Sequence, residues 1–296
     1  MKTEQRSGNP YTQGVASFIA GLRYEKLPPE VVGRAKLLIL DAFGCGIFGS
    51  LPEHSQILIG TLAKLDRSIE CGVWGTRQRL SAPHAALANG SLIQGFELDD
   101  AHALGSVHIG SGALPALMAV VESRPAVSGK TFITAMVAAC ETSPRVGICM
   151  GEGFPSQGWH SGCLAAFSGV AAAAVALGLS PEKSVHALGI AGTQAAGLMA
   201  AQYGAMVKRM HAGRGAQSGL YAAFLAEAGY TGITNLFESE YGGFCTTFTG
   251  GKGGFNFEEL TRGLGKEFET LRTSLKFYAS AASTHTALDA VRQARS

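Results

Sequence analysis

From Ser161 to Ser180 the chain reads SGCLAAFSGVAAAAVALGLS, twenty residues without a charge. A segment that is apolar on every side has to be wrapped, either by lipid or by the rest of the protein. It is long enough to span a bilayer. However, it is built from Ala, Gly and Ser rather than Leu, Ile and Phe, and neither end carries a basic cluster or an aromatic belt. The expectation is a central helix buried within a large helical core, not a membrane span. The rest of the chain agrees with that demand. Of 296 residues, 40 are Gly, 16% are charged and 46% are hydrophobic, and small residues recurring at helical spacing let helices approach closely. This composition excludes disorder, and the length suffices for one large core or two smaller ones without a disulfide or metal staple.

Charge and cysteine usage narrow the function classes. The formal net charge is +2 with no Lys/Arg block, so nothing marks a nucleic-acid surface. So few charges on so long a chain leave much neutral surface, which suggests subunit contacts. The six cysteines form no CxxC pair and show no regular spacing. That fits a reducing compartment better than a disulfide framework. The N-terminal MKTEQRSGNPYTQG lacks the apolar stretch of a signal peptide, so a cytoplasmic protein is expected.

Helix signals dominate the pass along the chain. Pro28-Pro29 opens EVVGRAKLLILDAFGCGIF, with Gly49 near its end. Ser81 precedes APHAALANGSLIQGFELDD. Ser128-Gly129 leads into KTFITAMVAACETSPRVGICM, which Pro144 should bend or break. Ser180-Pro181-Glu182 combines a hydroxyl cap, a first-turn Pro and an acid at the positive end of the helix dipole. A further helix over GAQSGLYAAFLAEAG stops at Gly229. Strand-like alternation is confined to 69–74 and 270–279. The fold class is therefore mainly α. Its character changes near Phe268, after which a short strand and a helix, THTALDAVRQARS, are expected.

Three segments place titratable residues where the local composition argues against them. The first, FELDDAHALGSVHIGSG over 96–112, holds Glu97, Asp99, Asp100, His102 and His108. Acids at a helix C-terminus are unfavourable unless something offsets them. A metal site is one alternative there, but no HExxH or Cys/His pattern supports it, and no metal is expected. The second is GWHSG, where His160 directly precedes the charge-free helix. It reads either as a binding group beside first-turn amides suited to a carboxylate or as a capping histidine. The third is AMVKRMHAGRG, where Lys208 and His211 share a face if the segment is helical. A lysine beside apolar walls would have a depressed pKa. There is no P-loop, no strand–GxGxxG–helix unit and no GxSxG elbow. What remains is acid–base chemistry on a small anion, without a cofactor.

These segments, together with VASFIAGLRYEKLPPEVVGRAKLLILDAFGCGIFGS, ACETSPRVG and VKRMHAGRGAQSGLYAAFLAEAG, resemble the MmgE/PrpD family over nearly the whole chain. That family includes 2-methylcitrate dehydratase, cis-aconitate decarboxylase and iminodisuccinate epimerase. The resemblance implies a helical domain over residues 1–267 and the beginning of an α+β lid over 268–296. It also implies a homodimer that needs no metal or organic cofactor. The family pattern runs well past Ser296, so a C-terminally truncated member is expected. Carried across by motif, the catalytic residues are Asp100, His108, His160, Lys208 and the lid lysine Lys276. Glu97, His102, His211 and His285 are expected to touch the substrate. Glu97 stands where many members have Asp, and Ala101 where many have Thr, which points away from the decarboxylase and methylcitrate branches.

The activity this implies is a lyase for a small di- or tricarboxylate. A proton is removed alpha to a carboxylate, with loss of water or CO2, and His108 is oriented by Asp100. Two alternatives stand beside it: an epimerase or isomerase using the same residues, and an inactive chain that associates with a longer partner.

Overall fold

The computed structural model describes residues 10–124 and 127–295. Among them are twelve α-helices and one two-stranded sheet, so the fold is mainly α. In chain order the elements are α1 (Pro10–Gly21), α2 (Pro29–Phe48), α3 (Glu53–Leu65), β1 (Cys71–Gly72), β2 (Arg79–Leu80), α4 (Ala82–Ile93), α5 (Gly110–Ser123) and α6 (Gly129–Met150). There follow α7 (Gly153–Ser156), α8 (Ala165–Leu177), α9 (Pro181–Gln194), α10 (Met210–Glu227), α11 (Phe244–Phe248) and α12 (His285–Arg295).

The uncharged run becomes the centre of the molecule. A 3₁₀ turn over Ser161–Leu164 feeds α8, and Gly178 closes that helix in the left-handed conformation at φ 66°. Residues 165–174 of α8 are all buried, surrounded by α5, α6, α9 and α10. With Ala and Gly on every face, α8 has no polar side to give to water. It therefore gains only by being enclosed, at about 25 cal/mol per Å² of apolar surface removed from water. No helix among the described residues is long and apolar enough to cross a membrane.

Close helix crossings explain the glycines. A Cβ on Gly213 of α10 would collide with the backbone of α4 at Leu87, and one on Gly219 with the backbone of α8 at Val170. The N-terminal half of α10 is thereby pressed between α4 and α8. The Ser128 and Ser180 hydroxyls accept from the amides of Thr131 and Lys183 at the starts of α6 and α9, as the capping patterns predict.

The break offered as one outcome at Pro144 and the strand expected over 270–279 are corrected. Helix α6 runs unbroken through Pro144. The Thr142 and Ser143 hydroxyls bond back to the carbonyls of Ala138 and Ala139, and flanking Glu141 and Arg145 are anchored to residues 262–270. Tertiary contacts on both sides of the proline thus outweigh its missing N–H. The strand expected over 270–279 is reduced to one bridge, Ala101 to Ser274. Glu141 accepts from the amides of Glu269 and Thr270, which curls Glu269–Arg272 into a 3₁₀ turn and leaves only Ala101 as a pairing edge. The segment 69–74 does pair, through β1 with β2. The helix expected in THTALDAVRQARS is α12, which buries none of its residues.

Candidate active site

The loop joining α4 to α5, residues 94–109, is forced into a confined course. A Cβ on Gly147 of α6 would strike the Gly105 carbonyl, and one on Gly105 would strike Pro144, so the loop lies directly on α6. Asp100 is fully buried at the head of α5, where its carboxylate accepts from the amides of Ile109 (2.7 Å) and Gly110 (2.8 Å). An acid at a helix N-terminus is favourable, so this side chain is committed to holding the loop end. Glu97 and Ser106 have positive φ, 57° and 49°. Non-glycine residues in that region cost of order 1–3 kcal/mol and persist only when their surroundings fix them.

The histidines of the site are set in different hydrogen-bonding states. His108 Nδ1 donates to the Asp100 carbonyl at 2.7 Å and lies 3.4 Å from the Asp99 carboxylate. Its Nε2 is left as the basic nitrogen. His160 is the reverse: its Nδ1 accepts from the Gly162 amide at 3.0 Å, so in the neutral ring the proton sits on Nε2, a donor. Burial, then the charges of His211, His108 and Arg209, lower His160 to about 4. It is therefore neutral at physiological pH. The His211 ring meets it edge-on, centroids 4.9 Å apart. His211 Nδ1 is buried with no hydrogen-bond partner among the described residues; burial and then Lys208 lower its pKa.

Opposite them stand three cations. The 3₁₀ turn Met206–Arg209 precedes α10 and delivers Lys208 and Arg209; Lys276 arrives from the C-terminal segment. Glu97 collects all three. Its carboxylate pairs with Lys208 and, at 2.9 Å, with Arg209, and its carbonyl accepts from Lys276 Nζ at 2.5 Å. Burial, then Arg209 and Lys276, push Lys208 down to about 8, and the Glu97 carboxylate pulls the other way. Near Lys276 and Asp99 stands the carboxylate of Asp41 on α2. Burial and then Asp99 raise Asp41 to about 6, opposed by Lys276. Asp100 is also raised, by burial and then Asp99.

His108, His160, His211, Lys208 and Lys276 are thus brought into one region, with Glu97 and Asp100 at its edge. His102 is not open to it. That ring is 1% exposed, donates from Nε2 to Glu269 at 2.9 Å and accepts from the Gly105 amide. Its place is in a strut between the loop and the C-terminal segment. His285 bonds the Ser280 carbonyl and packs on Tyr278, both in its own segment. The orienting group for His108 is the Asp100 main chain together with the Asp99 carboxylate, rather than the Asp100 carboxylate. Three contributors go beyond the residues given a role from the sequence: Asp99, named there without one, Arg209 and Asp41. A signal existed for each. Asp99 and Arg209 adjoin nominated residues, and Asp41 is a lone acid in the apolar run LLILDAFGCGIF. Among the described residues no group of three or more His, Cys, Asp or Glu side chains is arranged to hold a metal ion.

Comparison with known proteins gives a consistent set. A family model, the MmgE/PrpD N-terminal domain, matches residues 13–256. The cis-aconitate decarboxylase-like protein oryM of Aspergillus oryzae is 40% identical over 295 residues, 95% of this chain and 61% of that protein. A cis-aconitate decarboxylase of Aspergillus terreus is 36% identical over 302 residues, covering 98% of this chain and 62% of its own. That of Homo sapiens is 31% identical over 238 residues, covering 78% and 49%. The chain spans about 60% of the length of the fungal relatives it matches. Each of these relatives bears the cis-aconitate decarboxylase name, that of the branch from which Glu97 and Ala101 are expected to point away.

Proposed function

The chain belongs to the MmgE/PrpD family, and from that premise we propose that its site carries out lyase chemistry, decarboxylation foremost, on a small tricarboxylate of the cis-aconitate kind. The observation that carries this reading is the meeting of a basic His108 Nε2, a neutral donor at His160 and three cations in one partly exposed cluster. Lys208, Arg209 and Lys276 are the groups to neutralise substrate carboxylates. Fixed positive charge of this kind lowers the energy of a carbanion as it develops beside a carboxylate.

In the decarboxylation, the bond to the departing carboxylate breaks and CO2 leaves. The electron pair passes into the carbon framework, delocalised toward a carboxylate held by the cations. His108, as imidazolium, delivers a proton to carbon, and its Nδ1–H stays bonded to the Asp100 carbonyl with Asp99 beside it to stabilise the ring's charge. Dehydration uses the same groups in another order. His108 takes the proton alpha to a carboxylate and passes it to the departing hydroxyl, which leaves as water while the neutral His160 Nε2–H hydrogen-bonds its oxygen. The similarity to decarboxylases ranks the first above the second and above epimerisation.

The test is to incubate the purified chain with cis-aconitate and with hydroxy-tricarboxylates in D2O. CO2 release from cis-aconitate with one deuterium entering carbon is the expected result. Deuterium exchange into recovered substrate without CO2 or water loss would move the assignment to an epimerase. No turnover and no exchange by a chain that melts cooperatively would remove the lyase reading for this chain.

A further inference from the structure

The cations of the site are already occupied, and by a group of the same chemistry as the proposed ligand. The Glu97 carboxylate engages Lys208 and Arg209, and its carbonyl engages Lys276. One residue thereby satisfies the whole positive wall. It does so from a left-handed backbone, φ 57°, which a glutamate adopts only when its contacts hold it there. Its neighbours provide a fixed base from which it could swing. The Glu97 amide and an Arg209 N–H share the Gln94 carbonyl, at 3.3 Å each. Phe96 on the other side is exposed and stacks on Phe48, centroids 4.5 Å apart. The Glu97 side chain is 23% exposed, so a rotation about its own bonds leads outward rather than into the core.

We propose that Glu97 is a built-in counter-anion: its carboxylate holds Lys208 and Arg209 together, beside the carbonyl that holds Lys276, and an incoming substrate carboxylate displaces that side chain. This rests on the reading of the cluster as a carboxylate site and goes beyond it, because it assigns Glu97 a place vacated on binding rather than a contact with substrate. Two carboxylates of like charge cannot share Lys208 and Arg209 without repulsion. Displacement also lets the strained backbone at 97 relax, which offsets part of the ion pairs lost. The displaced group lowers affinity in proportion to how firmly it holds its place, as any competing state does.

The experiment is calorimetric titration of citrate, and separately of inorganic sulfate, into the full 296-residue chain and its Glu97→Gln variant. The variant is expected to bind citrate about ten-fold more tightly or better, a change of about 1.4 kcal/mol, and adding Lys208→Met to it should cancel the gain. If the unaltered chain binds citrate and Glu97→Gln binds it equally or more weakly, the counter-anion role is overturned while the carboxylate site stands. If neither binds citrate or sulfate, both readings fall. Hydrogen exchange on the unaltered chain decides the matter if the variant does not fold. Saturating citrate should slow exchange over 206–211 and quicken it over 94–100; slowing of both segments together overturns the proposal.

Discussion

His108 and His160 stand in one cluster in opposite hydrogen-bonding states, and each state is fixed by a main-chain group: a carbonyl for His108, an amide for His160. Which histidine accepts a proton and which donates is therefore set by the loop and by the head of α8, not by the imidazole itself. Asp99 is buried, and its oxygens accept no hydrogen bond among the described residues. It faces the His108 ring only as a charge, at 3.4 Å. Asp99→Asn is expected to lower kcat by about 10- to 100-fold, the range of a general acid–base contribution, with KM within about two-fold; steady-state CO2 release measures both. A basic limb in the pH profile is expected from Lys208. Its pKa is lowered to about 8 by burial, Arg209 and Lys276, so with the opposing Glu97 carboxylate displaced by ligand it loses charge as pH rises through that value. Citrate affinity should thus fall as pH rises from 7 to 9. The stability contribution of this lysine has the opposite sign. Its charged form is disfavoured in the folded state relative to an unperturbed lysine near 10.4, so that cost is relieved as pH rises through about 8. Calorimetric Kd against pH, beside urea midpoints over the same range, separates the two trends.

Among the elements, α6 decides where Lys276 stands. Glu141 on α6 is buried, and its carboxylate accepts from the amides of Glu269 and Thr270 and from the Thr270 hydroxyl. One turn on, Arg145 donates to the carbonyls of Arg262 and Glu267. These bonds, with His102 to Glu269, fix the segment that leads through the Ser274–Ala101 bridge to Lys276. Glu141→Gln keeps the volume but replaces one acceptor with a donor facing N–H groups. Leaving buried groups unsatisfied costs about 1–3 kcal/mol, so the urea midpoint should fall accordingly. Citrate should bind more weakly although Glu141 touches none of the cations. A drop in stability with unchanged citrate affinity would show that Lys276 is positioned by something else.

For the whole molecule, the candidate site joins pieces from the α4–α5 loop, the head of α8, the turn before α10 and the C-terminal segment. A bound tricarboxylate should act as a clasp on all of them. At about 100 times its Kd, citrate is expected to add about 2.7 kcal/mol to folding stability and raise Tm by several degrees in a thermal scan, whereas a neutral polyol at equal concentration should not. Unchanged melting with citrate would contradict a shared anion site. The sequence by itself determined the mainly α class, the buried α8 and most helix starts, because these follow from composition, capping residues and proline placement, all local or periodic properties. It also made the chemistry-bearing segments conspicuous, since charges and histidines stand out against so apolar a background. Only the tertiary structure decided that α6 passes unbroken through Pro144, that 270–279 is not a strand, that Asp99 rather than the Asp100 carboxylate faces His108, and that Glu97 holds Lys208, Arg209 and Lys276. Each of these turns on a partner 100 or more residues away, or on which of two adjacent side chains a folded loop turns inward. Neither is encoded in local pattern, because the free energy that fixes them is released only when distant segments pack.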